Sequence, residues 1–186
     1  MKPKLTEADF IQAAKTLKCE VAAIKAVAEV ESKQNGFNED DSPVILFERH
    51  IFHQRTKGVY DAKYPDISNK LAGGYGLYSE QHSKLQRASQ LNRDAAVMSA
   101  SWGKFQIMGF NYALCGYNNL QEFINDMYIS ESKHLKAFVQ YVINTGLSDE
   151  LQRKDWVNFS RLYNGKFYSK NKYDTKLKEA YLKYSK

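Results

Sequence analysis

From Ser83 to about Ser99, Leu85, Ala88, Leu91, Ala95 and Met98 return every three or four residues. That is the period of one face of an α-helix, and it governs most of the chain. Phe10, Ala13, Ala14 and Leu17 keep it behind Thr6–Asp9, where a Thr cap with a carboxylate three residues on is a variant of the capping box. Val21, Ile24, Val27 and Ala28 keep it between about 20 and 31. Further helices are expected from about 120 to 144, from about 155 to 163, and from about 173 with Leu177, Tyr181 and Tyr184, while Gly146 and Gly165 read as stops. "AGGYGLYSE" reads as a loop, and its glycines lack the strand–GxGxxG–helix setting a nucleotide needs. "SASWGKFQIMGFNYALCGY" reads as a turn leading into further helix. Only "PVILFERHIF", rich in β-branched and aromatic residues, fits a short strand and a buried helix equally well. The expectation is a mainly α fold, one domain over 1–186, with at most a small β element near 44–52.

Length agrees with one domain. A chain of 186 residues buries roughly 70% of its unfolded surface, so the core needs no staples. The two cysteines, Cys19 and Cys115, form no CxxC or Cys/His pattern, so free thiols are expected and neither metal nor cofactor is called for. The N-terminal "MKPKLTEADF" has no apolar h-region and no apolar run reaches the ~18 residues of a membrane span. A chain made in the host cytoplasm, reaching its target by a separate release route, is expected. The formal charge of +6, from 27 Lys and Arg against 21 Asp and Glu, draws it toward polyanions. Nucleic acid, anionic lipid and bacterial wall all qualify, and a solvated basic surface alone would also account for it.

The stretch "AVAEVESKQNGF" holds two glutamates two residues apart. Glu31 is seven residues after Ile24, four after Val27 and three after Ala28, so it continues the apolar stripe to the helix end. Glu29 is four after Lys25, where an i,i+4 ion pair on the polar side is expected. A carboxyl on an apolar stripe has its charged form desolvated, and the negative end of the helix dipole disfavours the anion further. Both effects favour a protonated Glu31 near neutral pH, which is what cleavage of a glycosidic bond asks of its proton donor.

Three stretches then occur in order: "AVAEVESKQNGF", "SWGKFQIMGFNY" and "RLYNGKFY…KYDTKL". The set resembles the lysozyme-like superfamily, which includes goose-type lysozymes and lytic transglycosylases. With "PVILFERHIF" it is more closely similar to the phage-endolysin N-acetylmuramidase family, from about residue 20 to residue 180. The resemblance implies an α+β lysozyme-like fold and a single-domain enzyme with no room for a separate wall-binding domain. It implies hydrolysis of the β-1,4 bond between N-acetylmuramic acid and N-acetylglucosamine in bacterial peptidoglycan. Carried over by position, Glu31 matches the general acid. Gly103 and Gln106 match the segment lining the sugar cleft, Ser101 opens that segment, and Trp102 holds a position more often occupied by another residue. Tyr163 and Asn164 match the late pair beside the acid. The Gly165-Lys166-Phe167 that follows departs from the Ala-Gly of transglycosylases, which weakens transfer of that chemistry.

A second carboxylate would lie roughly 6.5–9.5 Å from the acid in an inverting enzyme, or about 5–5.5 Å in a retaining one. Glu48 is the candidate, with Asp40, Asp41 and Glu39 weaker. If 44–52 is a strand, Val44, Leu46, Glu48, His50 and Phe52 share a face, and Glu48 needs a partner there in His50, Arg49 or substrate. A buried pair bracing the cleft wall is the equal alternative, and His50 reads first as a hydrogen-bonded structural residue. Of Trp102, Phe105, Tyr112 and Tyr117, about half are expected in the core and the rest on sugar faces. Seven lysines against two acids from Lys166 to Lys186 could be attracted to anionic envelope polymers. A solvated terminal helix with Leu177 and Tyr181 buried is the simpler account. A monomer with no nucleic-acid partner is expected. The rivals are a lytic transglycosylase on the same fold, needing only Glu31, and a non-catalytic basic module binding cell wall or nucleic acid.

Overall fold

Thr6 closes the first helix as its sequence predicts. In the computed structural model, which describes residues 2–32, 35–165 and 168–186, its side chain accepts from the Asp9 N–H while the Asp9 carboxylate accepts from the Thr6 N–H. Helix α1 (Glu7–Leu17) is followed by α2 (Val21–Glu31), whose last residue is the glutamate singled out above. The chain continues through β1 (Ile45–Phe47), α3 (Arg49–Arg55), α4 (Gln81–Met98), β2 (Ala100–Trp102) and β3 (Ile107–Met108). It ends with α5 (Leu120–Met127), α6 (Glu131–Asn144), α7 (Ser148–Arg153), α8 (Trp156–Tyr163) and α9 (Tyr173–Tyr184). Among the described residues the fold is mainly helical with one small antiparallel sheet of order β1-β2-β3. None of the helices in that part is long and apolar enough to cross a membrane.

The β content is larger than expected and lies partly elsewhere. "PVILFERHIF" is both strand and helix: the strand stops at Phe47, and α3 starts at Arg49 with Glu48 as its N-cap. Glu48 and His50 therefore do not share a strand face. The turn read into "SASWGKFQIM" is the hairpin β2–β3, pairing Ser101 with Met108 and Trp102 with Ile107. Residues 120–144 form two helices rather than one. The first ends at Met127 with Tyr128 as its C-cap, and Ser130 caps the second, its side chain accepting from the Lys133 N–H, a local bond that competes with helix continuation.

The core gathers one face of nearly every helix: Leu17, Ile24, Phe52, Phe123, Phe138, Phe159 and Leu177 are all fully buried. Each such side chain contributes roughly 1.5–3 kcal/mol. Helices α2 and α9 pack along each other more extensively than any other pair. Ala22, Ala23, Ala26 and Ala28 on α2 and Ala180 on α9 are buried, small side chains that allow a close approach. This contact sets the C-terminal helix beside the end of α2. Leu177 is buried and Tyr181 packs on Trp156 at 5.4 Å between ring centroids, as an amphipathic terminal helix requires.

Candidate active site

A cleft of about 730 Å³ opens where α2 ends. One wall is the α2–α9 pair, with Glu29, Glu31, Tyr173, Lys176, Glu179 and Lys183. The other carries Asn38, Val44, Tyr78 and Gln106. Glu31 is partly accessible at the floor, yet protein surrounds its carboxyl closely enough to desolvate the charged form. Burial lifts its pKa to about 7, against smaller opposing effects from the Asn164 hydrogen bond and the Lys176 charge. Asn164 Nδ2 donates to Glu31 Oε1 at 2.7 Å, which leaves Oε2 to hold the proton. Asn164 is the C-cap of α8, and its Oδ1 is buried without a partner. Tyr163 beside it is not a cleft residue. Its hydroxyl donates to the Phe105 carbonyl at 2.7 Å, and its ring packs among Phe138, Tyr141 and Phe159.

Glu29 differs from the ion pair expected for it. Lys25 pairs instead with Glu7 across α1 at 2.7 Å. Glu29 takes Lys183 of α9 at 2.6 Å and the Tyr184 hydroxyl at 2.5 Å, and these bonds hold its pKa below the usual range. The i,i+4 rule failed here because α9, distant in sequence, covers that side of α2. Two carboxylates two residues apart are thus driven in opposite directions, Glu31 toward the acid and Glu29 toward the anion.

The hairpin turn supports the floor. Gly103 has φ of +67°, and a Cβ there would lie 2.6 Å from the His134 ring, so only glycine fits. His134 is buried, with Nδ1 accepting from the Lys104 N–H at 3.0 Å and Nε2 facing the Met127 carbonyl at 2.8 Å. Burial lowers its pKa, in keeping with a neutral ring that accepts on one nitrogen and donates from the other. Gln106 lines the cleft, but its amide is spent inside the turn: Nε2 donates to the Gly103 carbonyl at 2.8 Å and Oε1 accepts from Ser101 Oγ at 2.8 Å. The sugar contact expected of Trp102 does not fit its place. The indole is 2% exposed and donates to the Val97 carbonyl. Phe105 is also core, and Tyr112 and Tyr117 pack against it.

Glu48 stands apart from the cleft lining. Its Oε1 accepts from the Tyr75 hydroxyl at 3.1 Å, and its Oε2 lies 3.1 Å from His50 Nδ1 without hydrogen-bond alignment. Burial raises its pKa, while His50 and Tyr75 oppose the rise. Tyr75 belongs to the glycine-rich loop, which is pinned from below: Lys84 Nζ and Gln81 Nε2 both donate to the Tyr75 carbonyl, and Gly74 lies flat on the Arg49 guanidinium. The loop's Tyr78 is 78% exposed and lines the cleft together with Tyr173. Tyr78 sits in a loop stretch that carries no motif, and Tyr173 and Lys176, although inside the "KYDTKL" stretch, were given no role by position. Their only sequence signal was that both stretches hold aromatics beside polar turns.

Residues 20–185 match the N-acetylmuramidase family. The chain belongs to that family. It is accordingly a glycoside hydrolase of the muramidase type, with peptidoglycan as its substrate class. Its structure is similar to the crystal structure of the Burkholderia AP3 phage endolysin, with a TM-score of 0.89 and 42% identity over 98% of this chain and 72% of that one. No curated protein sequence matches it. The family match covers the segment holding Glu31, the hairpin turn and Asn164 alike. Lys166 and Phe167, where the sequence departs from transglycosylases, lie outside the described residues, as do Met1, Lys33 and Gln34.

Proposed function

We propose that the enzyme hydrolyses the β-1,4 bond between N-acetylmuramic acid and N-acetylglucosamine, with Glu31 as general acid. The observation that carries this is a desolvated carboxyl at the cleft floor with one oxygen held by Asn164 and the other free. Protonated Oε2 donates to the leaving sugar oxygen as the glycosidic bond breaks, water adds at the anomeric carbon and loses a proton to give the reducing end, and the neutral acid becomes an anion that the Lys176 charge favours. The partnerless Asn164 Oδ1 beside it offers an acceptor for a water or for an N-acetyl N–H of the substrate. Glu48 is a positioning residue in this reading: through Tyr75 and His50 it braces the loop that brings Tyr78 to the cleft. Tyr78 and Tyr173, both in the cleft lining, supply the flat apolar faces a sugar ring packs on.

One observation favours the transglycosylase reading. The second carboxylate does not line the cleft, and that chemistry needs only Glu31 because the muramoyl 6-hydroxyl takes the place of water. Mass spectrometry of digested peptidoglycan separates the two. Reducing muramic acid ends are expected. Ends lighter by one water, the 1,6-anhydro form, would overturn hydrolysis.

A further inference from the structure

Helix α9 presents Tyr173, Lys176, Glu179, Ala180 and Lys183 to the cleft. The two of its lysines that line the cleft are in different electrostatic states. Lys183 is neutralised by Glu29 at 2.6 Å. Lys176 has no carboxylate within 4 Å among the described residues, and Glu179, one turn along, is beyond that distance. Among the described residues its ammonium lies over the ring of Tyr173, 5.5 Å from the centroid. The acid its charge does reach is Glu31, whose pKa burial raises to about 7, so that roughly half of it is neutral at that pH. The cleft therefore holds a lysine that no carboxylate pairs with directly among the described residues, on the same lining as Glu31.

The glycan itself explains what such a cation could read. Its β-1,4 bonds alternate between two kinds, and the two sugars differ by the 3-O-lactyl arm of the muramoyl unit. That arm carries a carboxylate when bare, and a stem peptide with carboxylates of its own in the intact wall. The N-acetylglucosamine unit carries none. Resting on the proposed muramidase reading of the same cleft, we propose that Lys176 is a specificity-determining residue that pairs with a carboxylate on the muramoyl 3-O arm. The pairing sets which of the two bonds lies against Glu31. With Glu29 engaged by Lys183 and no carboxylate within 4 Å of Lys176 among the described residues, an incoming carboxylate can pair with this ammonium directly. A charge-assisted contact at the edge of a cleft is worth roughly a tenfold preference.

The test uses peptide-stripped glycan strands with free lactyl carboxylates, the same strands converted to methyl amides, and intact peptidoglycan. Wild type should cleave the free strands with a kcat/KM about 10-fold above the amidated ones. The difference should lie mainly in KM. Lys176→Gln should abolish the preference, and Lys176→Arg should keep most of it. Lys178→Gln, an exposed lysine of α9 outside the cleft, is the control for general basic charge. A preference that survives Lys176→Gln, or is lost equally in Lys178→Gln, overturns the proposal. A Lys176→Gln defect on stripped strands alone assigns the lactyl carboxylate. A defect of similar size on intact wall assigns a carboxylate of the stem peptide. Failure of wild type to cut any of the three substrates would instead sink the muramidase reading of the cleft. Because Lys176 is exposed, an unchanged melting temperature should accompany the change.

Discussion

Glu31 and Glu48 are both carboxyl groups whose pKa burial raises, and they are held in opposite ways. Glu31 ends a helix that α9 covers. It has one amide donor on Oε1 and no donor on Oε2 among the described residues, and it lines the cleft. Glu48 begins a helix behind the glycine-rich loop. One of its oxygens accepts from Tyr75, the other faces His50, and the residue does not reach the cleft lining. Burial makes a carboxyl protonable; in the proposed reading, the oxygen that no described residue engages is the one from which Glu31 gives up its proton. A carboxyl with both oxygens turned to protein groups is an anchor.

The sharpest way to break this comparison is Glu31→Gln. The amide keeps the Asn164 bond and the shape, so folding should persist while lysis falls roughly 10³-fold or more. The same change should stabilise the protein. With the folded pKa near 7 and the ordinary value 4.5, the unfolded chain gains by ionising Glu31 across that window. Wild type therefore loses stability as pH rises from about 4.5 to about 7, and Glu31→Gln does not. Denaturant melts should show the variant more stable by on the order of 1–3 kcal/mol at pH 8 and nearly equal at pH 4.

Glu48→Gln comes next, and it decides between donor and anchor on the second wall. It should cost no more than about 10-fold in kcat, because Tyr75 can still donate to the amide oxygen. Steady-state kinetics showing a loss as deep as that of Glu31→Gln would make Glu48 part of the chemistry.

How much of this was legible in the chain follows from the range of each interaction. Glu31 was readable because three- and four-residue spacing fixes its side of α2, and the period is local. Its partner Asn164 is 133 residues away and was identified by the resemblance alone. The pairing of Glu29 with Lys183 and Tyr184 was not readable, since it depends on how α9 lies against α2. The hairpin was missed because its strands are only three and two residues long, with Gly103 between them giving a turn signal stronger than any alternation. Trp102 was misplaced for a similar reason: an indole next to a cleft motif looks available until the burial of β2 is known.

The Asn164 contact gives a smaller and more specific effect. Asn164→Ala removes the donor that stabilises the Glu31 anion, so the Glu31 pKa should rise further. The alkaline limb of the kcat/KM profile should move to higher pH, with activity reduced roughly 10-fold by loss of orientation. Smallest of all is Glu29→Gln. It weakens a surface-side pair between α2 and α9, so melts should register a loss of about 1 kcal/mol or less, with activity within about twofold of wild type. A large activity loss there would place the anion of Glu29, rather than the acid of Glu31, at the centre of the cleft.

The most direct test is to titrate the Glu31 carboxyl itself. Carbon-13 spectra of the side-chain carboxyls of wild type, compared with Glu31→Gln to identify the resonance, should show a midpoint near 7. A midpoint near the ordinary 4.5 would mean the carboxyl is ionised at neutral pH and would contradict its role as the proton donor.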